Sequence, residues 1–181
     1  LRNQPLLARA RLGFVPDRPF LYDRLSAREF LDFIAAIYDV PAVLARTRGI
    51  ALLERLDLAE AADDYVETYS HGMRQKLSVA AALLHDPPLT LLDEPLQGLD
   101  PRAARTLKDL LRERVAGGGG VLVSTHLLDV AERLCDRVVI LRRGLKVAEG
   151  SLDDLRGPDS GATLEDVFLE LTREVAETQP S

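Results

Sequence analysis

Two adjacent carboxylates, Asp93 and Glu94, follow directly after the apolar run Leu89–Leu92, and Pro95 ends the run. Such a run is typical of a short strand that is buried on both faces of a sheet. Open α/β sheets bind their ligands at the carboxyl edge, where these two acids would emerge. One carboxylate could hold a hydrated Mg²⁺ ion while the other orients and deprotonates water. The pair is compatible with magnesium-dependent phosphoryl chemistry, although a strand followed by a polar turn explains these residues equally well.

A second candidate group is Ser70, Gly72 and Met73, which open a predicted helix. A serine and a glycine at a helix start offer a hydroxyl, exposed amides and the positive end of the helix dipole. These groups suit a terminal phosphate, whereas the simpler interpretation makes Ser70 only a helix N-cap. His126 follows the next predicted strand and could hydrogen-bond a γ-phosphate and hold the attacking water. Neighbouring parallel strands would bring all these groups to one edge.

The elements that must position these residues fall into two kinds. Leu12–Val15 is a predicted strand, but Ser26–Glu29 is a capping box and Pro41 opens a further helix through Leu56. Residues from about 20 to 86 are therefore predicted to be helical, whereas most strand signals come later. We expect a helical subdomain inserted into an α/β core, with Leu1–Arg11 as a connector.

The second half of the chain alternates predicted strands and helices. Asp100-Pro101 is an N-cap followed by proline at the first helical position. The four glycines 117–120 are better explained as a helix-to-strand turn than as a phosphate loop, because no Lys-Ser/Thr follows them. A predicted hairpin joins Val138–Leu141 to Leu145–Glu149. We therefore predict core strands and helices over 87–150 and C-terminal helices and a tail over 151–181.

Composition limits the classes of function. The 181 residues are 46% hydrophobic, which is enough for a sizeable core, and they lack any run of about 18 apolar residues that could cross a bilayer. The net charge of −6 does not indicate a nucleic-acid-binding face. Cys135 is the only cysteine, which excludes an internal disulfide and is compatible with a reducing compartment. Since the first residue is Leu1, we expect a fragment whose true N-terminus is missing.

Taken together, the ordered motifs resemble the nucleotide-binding domain of ABC transporters, above all the ATPase subunits of bacterial ABC-2-type and multidrug or antibiotic exporters. The similarity spans residues from about 10 to 172. The residues that carry it are Ser70-x-Gly72, Leu89–Glu94, Gly98-Leu99-Asp100, Ser124-Thr125-His126 and the closing Thr163–Leu171. The resemblance implies an α/β, P-loop NTPase-like fold, with a largely parallel sheet and an inserted helical subdomain. It also implies that the N-terminal sheet and the phosphate loop are absent from this chain.

The resemblance implies roles for the candidate residues one by one. Ser70, Gly72 and Met73 match the signature motif, which in this family contacts ATP held mainly by the opposite subunit. Asp93 matches the aspartate that supports Mg²⁺ through water, and Glu94 matches the general base.

Three further positions match motifs of the family. Asp100 matches the D-loop aspartate at the dimer interface, and His126 matches the switch histidine. Asp17 stands where the family usually has the Q-loop glutamine, a sensor of Mg²⁺ and of the membrane partner. An anion there would be unfavourable near phosphates unless Mg²⁺ or a basic neighbour offsets it. His71 and Met73 replace a glycine and a glutamine of the usual signature.

The sequence Gly-x-x-x-x-Gly-Lys-Ser/Thr, whose lysine and amides cradle the β- and γ-phosphates, occurs nowhere in the 181 residues. We therefore expect this chain alone to bind ATP weakly and not to turn it over. For the parent protein the resemblance implies an ATPase with ATP and Mg²⁺, a second ATPase subunit in a homodimer, and a separate multi-spanning permease. It would act in transport, with export favoured, at the cytoplasmic face of the membrane and without nucleic acid. The alternatives are a truncated, non-catalytic ABC module and a soluble ABC-type ATPase that acts on ribosomes or DNA.

Overall fold

The structure, a computed structural model, describes residues 4–156 and 162–177. It divides into two compact units, Leu1–Ser124 and Thr125–Ser181. The first unit has the elements α1 (Pro5–Ala10), β1 (Leu12–Val15), α2 (Ala27–Ile37), α3 (Ala42–Arg55), α4 (His71–Leu84), β2 (Leu89–Asp93), α5 (Pro101–Ala116) and β3 (Gly120–Ser124). The second has α6 (Leu128–Leu134), β4 (Arg137–Arg142), β5 (Leu145–Ser151), α7 (Leu152–Arg156) and α8 (Leu164–Glu177).

The first unit is built on a parallel sheet with the strand order β1-β2-β3. Val15 is paired with Leu92, and Leu92 with Val123, so the three strands run in register. Gly13 allows α4 to approach β1 closely, because a β-carbon at this position would lie 2.4 Å from the carbonyl oxygen of Ala82. The predicted α/β fold with a parallel sheet is confirmed.

Within residues 4–156 and 162–177, one face of this sheet is covered and the other is not. Val15, Thr90 and Leu92 are almost completely buried, whereas Phe14 is 56% exposed and Leu122 is 60% exposed. The expectation that β2 is buried on both faces is therefore wrong, since only the face beneath the helices has a covering layer among the described residues. A parallel sheet normally has both faces covered.

The helical region is formed by α2, α3 and α4, which pack against one another. The predicted capping box begins α2: the Ser26 hydroxyl accepts from the Glu29 amide at 3.2 Å, and a Glu29 carboxylate oxygen accepts from the Ser26 amide at 2.8 Å. The connector expected at Leu1–Arg11 instead contains α1, which starts at Pro5, a residue already suited to the first helical position. Among the described residues, no helix is long and apolar enough to cross a membrane.

In the second unit, β4 and β5 form the predicted antiparallel hairpin. Its core contains Ala131, Ile140, Leu164 and Val167. Ser151 caps the start of α7, because its hydroxyl accepts from the Asp154 amide at 3.1 Å. The predicted division at 20–86, 87–150 and 151–181 stays a prediction, and residues 157–161 and 178–181 of its last segment lie outside the described residues.

Candidate functional site

The carboxyl edge of the parallel sheet collects the first candidate residues. The three strands run in the same direction, and the register pairs Asp93 of β2 with Ser124 of β3. Asp17 follows the end of β1 by two residues and is exposed. Asp93 itself is partly exposed at the end of β2. Asp17, Asp93 and Glu94 therefore belong to one edge, which is where parallel sheets present ligand-binding groups.

Glu94 has an unusual backbone. Its φ of +46° lies in the left-handed region, which a residue with a β-carbon seldom adopts. The Glu94 amide donates to the Ser124 carbonyl at 2.9 Å, and the Glu94 carbonyl accepts from the Gln97 amide at 3.1 Å. These bonds fix a tight turn after β2 and set the direction in which the Glu94 side chain leaves the sheet. Such strained residues are concentrated at functional sites.

Ser70 begins α4 from an extended conformation, with φ −61° and ψ 164°. Its hydroxyl oxygen accepts from the Met73 amide at 3.3 Å, so the N-cap interpretation is correct. The same hydroxyl keeps its own hydrogen for a second partner, so capping does not exclude an anion-binding role. The preceding residue, Tyr69, is buried and donates to the Ala61 carbonyl at 2.6 Å, which anchors the chain just before the helix.

The start of α4 packs against the turn 94–100. A β-carbon added to Gly72 would lie 3.4 Å from the Gly98 carbonyl oxygen and 3.7 Å from the Leu99 side chain. One helical turn later, Gln75 is only 1% exposed, and its side-chain amide donates to the Pro95 carbonyl at 3.4 Å. The structure thus brings the serine-led helix start and the turn after Asp93-Glu94 into direct contact.

Asp100 ends this turn as the N-cap of α5. Its Oδ1 accepts from the amides of Arg102 and Ala103, both at 2.9 Å. The hydrogen bond from Ala103 is the main reason that the pKa of the Asp100 carboxyl lies below its usual value. The capping role predicted from sequence is present, and a role at a dimer interface stays a prediction.

His126 belongs to the second unit. It is exposed in the segment before α6, where the Thr125 hydroxyl accepts from the Leu127 amide at 3.1 Å. This bond orders the peptide on both sides of His126. The role of this histidine at a phosphate stays a prediction.

The side chains at this edge suit a Mg²⁺ ion that is bound mainly by water and substrate phosphates. Among the described residues, no group of three or more His, Cys, Asp and Glu side chains is close enough to form a metal cage. Mg²⁺ usually keeps several waters and binds one or two carboxylates together with substrate phosphates. A single carboxylate at Asp93, at the carboxyl end of β2, fits that type of coordination.

Sequence reasoning missed two residues at this site. Gln75 is a polar residue on the buried side of α4, and the apolar periodicity of that helix gave no sign of it. His71 was considered only as a departure from the usual signature, yet its ring lies directly against Gly98. The only signal in the sequence for this contact was the glycine at position 98. In the structure this glycine has a φ of +72°.

Comparisons with known proteins identify relatives of this chain. The ABC transporter family model matches residues 3–97. The transporter ATP-binding protein EcsA of Bacillus subtilis is 36% identical over 170 residues, covering 93% of this chain and 69% of EcsA. The daunorubicin resistance ATP-binding protein DrrA3 of Streptomyces coeruleorubidus is 37% identical and is covered to 51% of its length, against 90% of this chain. The chain therefore spans between about half and two thirds of these relatives.

Solved structures give the same result. An ATP-binding subunit of an ABC transporter superposes with a TM-score of 0.89 at 37% identity, covering 95% of this chain and 72% of that one. A dimeric ATP-binding cassette bound to ADP and Pi superposes with a TM-score of 0.75 at 27% identity, covering 84% of this chain and 67% of that one. The chain belongs to the ABC transporter family, among its ATP-binding subunits.

Proposed function

We propose that this chain works within a subunit that hydrolyses ATP and couples the hydrolysis to transport through a separate membrane protein. The carboxyl edge of the parallel sheet carries the proposal, because it collects Asp93 and Glu94 where such sheets bind their ligands. Membership of the ABC transporter family supports it. The names of relatives such as the daunorubicin resistance protein favour export as the direction.

In this proposal Glu94 is the general base. It accepts a proton from the water whose oxygen bonds to the terminal phosphorus, while the bond from that phosphorus to the bridging oxygen breaks. The Ser70 hydroxyl and the first amides of α4 bind phosphate oxygens, and His126 hydrogen-bonds the terminal phosphate. Asp93 would hold Mg²⁺ through water, and the ion when bound neutralises charge on the phosphates.

The phosphate loop has to come from polypeptide outside these 181 residues, because no such motif occurs within them. The uncovered face of the parallel sheet supports this part of the proposal. Phe14 and Leu122 are neighbours of the same strand residue, Leu91, and both are more than half exposed. Apolar surface of this kind on a parallel sheet is a place where further structure packs.

We further propose that two such subunits form a homodimer, with Ser70 of one subunit facing ATP held by the other. The dimeric state of the ADP- and phosphate-bound relative supports this arrangement. Asp100 would lie at the interface between the subunits. The subunit would act at the cytoplasmic face of the membrane.

The residues proposed to contact the membrane partner are the exposed aromatic side chains Phe20, Tyr22 and Phe33. Phe20 is 88% exposed, and the rings of Tyr22 and Phe33 meet edge to face with centroids 5.1 Å apart. Exposed aromatic side chains of this kind are enriched at protein interfaces. Phe20→Ser should reduce co-purification with the membrane partner, whereas Val43→Ser, at an 82% exposed position on α3, should not.

The main experiment compares ATP turnover by the full-length subunit and its Glu94→Gln variant, purified with the membrane protein. We expect the variant to bind ATP, to favour the dimer and to lose nearly all turnover, while Glu60→Gln at an exposed position in the helical region leaves turnover unchanged. Near wild-type turnover in Glu94→Gln would exclude Glu94 as the base. A wild-type protein without turnover would favour the non-catalytic alternative, and co-purification with nucleic acid would favour the ribosome- or DNA-associated one.

A further inference from the structure

Gln75 is a polar side chain on the buried side of α4. The residue is only 1% exposed, and its Oε1 atom is buried without a hydrogen-bond partner among the residues that the structure describes. Buried polar atoms nearly always have a partner, because burial without one costs free energy. An apolar residue of similar size would avoid this cost. Stability alone therefore does not explain a glutamine at this position.

The nitrogen of the same amide has a partner. Nε2 of Gln75 donates to the carbonyl of Pro95 at 3.4 Å, and Pro95 is itself buried. Because proline has no N–H, this carbonyl is the only polar backbone group of the residue, and it can be satisfied only by a donor. The bond therefore joins the interior of α4 to the residue directly after Glu94.

The turn that receives this bond is strained. Glu94 has a φ of +46°, and such a conformation persists only where the surrounding structure holds it. Two backbone bonds hold Glu94 itself, since its amide donates to the Ser124 carbonyl and its own carbonyl accepts from the Gln97 amide. The bond from Gln75 holds the adjacent part of the turn against α4. Because the Gln75 side chain is buried, it has little freedom to follow the turn if the turn moves.

We propose that Gln75 is a positioning residue, which fixes the direction in which the Glu94 carboxylate leaves the sheet. This inference rests on the proposed function, because it assigns Gln75 to the site at which Glu94 deprotonates water. The contact lies within a single chain and is independent of how two subunits pair. Without the bond, the carboxylate would be displaced from the attacking water. A displaced base lowers the rate of the chemical step more than it weakens substrate binding.

ATP turnover by the full-length protein, purified with the membrane protein, tests this role. Gln75→Met keeps the size of the side chain and removes the donor. We expect kcat to fall about tenfold, with KM for ATP changed by less than about twofold. The melting temperature should change by less than about 3 °C, because the variant loses the unpartnered oxygen together with the donor.

A second variant at the same position changes the reach of the amide. Gln75→Asn keeps the amide, but its side chain is one methylene shorter and would not reach the Pro95 carbonyl. We expect kcat to fall as far as in Gln75→Met. The melting temperature should fall further than in Gln75→Met, because the shorter side chain leaves a cavity.

Thr90→Val is the matched control. The Thr90 hydroxyl lies in β2 and, like Oε1 of Gln75, is buried without a hydrogen-bond partner among the described residues. This variant also replaces a buried polar group by an apolar one of similar size, but it removes no bond to the turn after Glu94. We expect it to leave kcat and KM unchanged.

The variants at position 75 distinguish positioning from packing. If Gln75 only filled space, Gln75→Met would turn over ATP like the wild type and only Gln75→Asn would be slower, and this result would overturn the inference. A Gln75→Met variant with raised KM and unchanged kcat, or an equal loss of kcat in Thr90→Val, would overturn it as well. A wild-type protein that hydrolyses no ATP would instead overturn the proposed function, and this inference with it.

Discussion

The imidazole of His85 stacks on the ring of Tyr38, with centroids 3.7 Å apart and planes inclined by 11°. The histidine ends α4 and the tyrosine ends α2, so the stack joins two helices of the first unit. Burial is the main reason that the pKa of His85 is lowered, and the cations Arg114 and Arg48 act in the same direction. The backbone of Leu12 and the carboxylate of Asp86 oppose the shift.

This pKa shift predicts a pH-dependent stability. The neutral imidazole is favoured in the folded state, so the unfolded chain binds the proton more readily once the pH falls below about 6.5. The free energy of unfolding should therefore be constant above that pH, decrease as the pH falls from there through the lower folded-state pKa, and level off below it. Urea unfolding between about pH 5 and 8 measures the slope. His85→Phe keeps the stacked ring and should flatten the slope of the free energy of unfolding against pH. An unchanged slope in this variant would contradict the assignment.

Helix ends give a second prediction, on stability alone. Asp57 and Asp86 both adopt positive φ just after a helix, at +57° and +55°. Asp57 is exposed and places a negative charge at the unfavourable end of the α3 dipole. Asp57→Gly should therefore raise the free energy of unfolding by about 0.5–1 kcal/mol.

Asp86 provides the matched comparison, because its carboxylate accepts hydrogen bonds from two arginines. It accepts from Arg114 at 2.7 Å and from Arg48 at 3.3 Å, and Arg114 also donates to the Pro87 carbonyl. The Arg114 side chain is only 17% exposed. The stability lost with its carboxylate partner should therefore exceed the stability gained when glycine removes the strain of the positive φ at position 86. Asp86→Gly should lower the free energy of unfolding by about 1–2 kcal/mol. An increase in the free energy of unfolding in both variants would show that the backbone, not the ion pairs, decides stability here.

Most elements of the fold could be predicted from local signals. The capping box at Ser26 and the Asp100-Pro101 pair describe short-range hydrogen bonds that each segment makes alone, and both are present. What the sequence could not reveal depends on residues far apart in the chain. The stack of His85 on Tyr38 and the fit of His71 to Gly98 each need two segments brought together by the fold. The exposure of Phe14 was missed for a similar reason, because an apolar strand does not reveal which of its faces has a covering layer.

Two serine caps permit a test of the candidate site against plain helix capping. Ser26 and Ser70 each accept from the amide three residues later, at 3.2 and 3.3 Å. Replacing either by alanine should cost about 0.5–2 kcal/mol of stability. Only Ser70→Ala should also lower ATP turnover by the full-length protein, because only that hydroxyl would face a phosphate. Unfolding and turnover assays on both variants decide the matter, and equal losses of turnover would reduce Ser70 to a structural cap.

The last prediction concerns the chain on its own. Its candidate site keeps the Ser70 hydroxyl, the helix start and Asp93, but the 181 residues contain no lysine-bearing phosphate loop. The missing lysine and loop amides are the groups that would hold the β- and γ-phosphates, and the carboxylates of Asp93 and Asp17 repel a polyphosphate unless Mg²⁺ offsets them. Titration of this chain with ATP and Mg²⁺ should therefore give a Kd weaker than about 0.1 mM, which corresponds to less than about 5.5 kcal/mol of binding free energy. The full-length protein serves as the control. Micromolar affinity in the chain alone would mean that residues within it bind the phosphates without such a loop. The proposal that the phosphate loop comes from polypeptide outside these 181 residues would then be wrong.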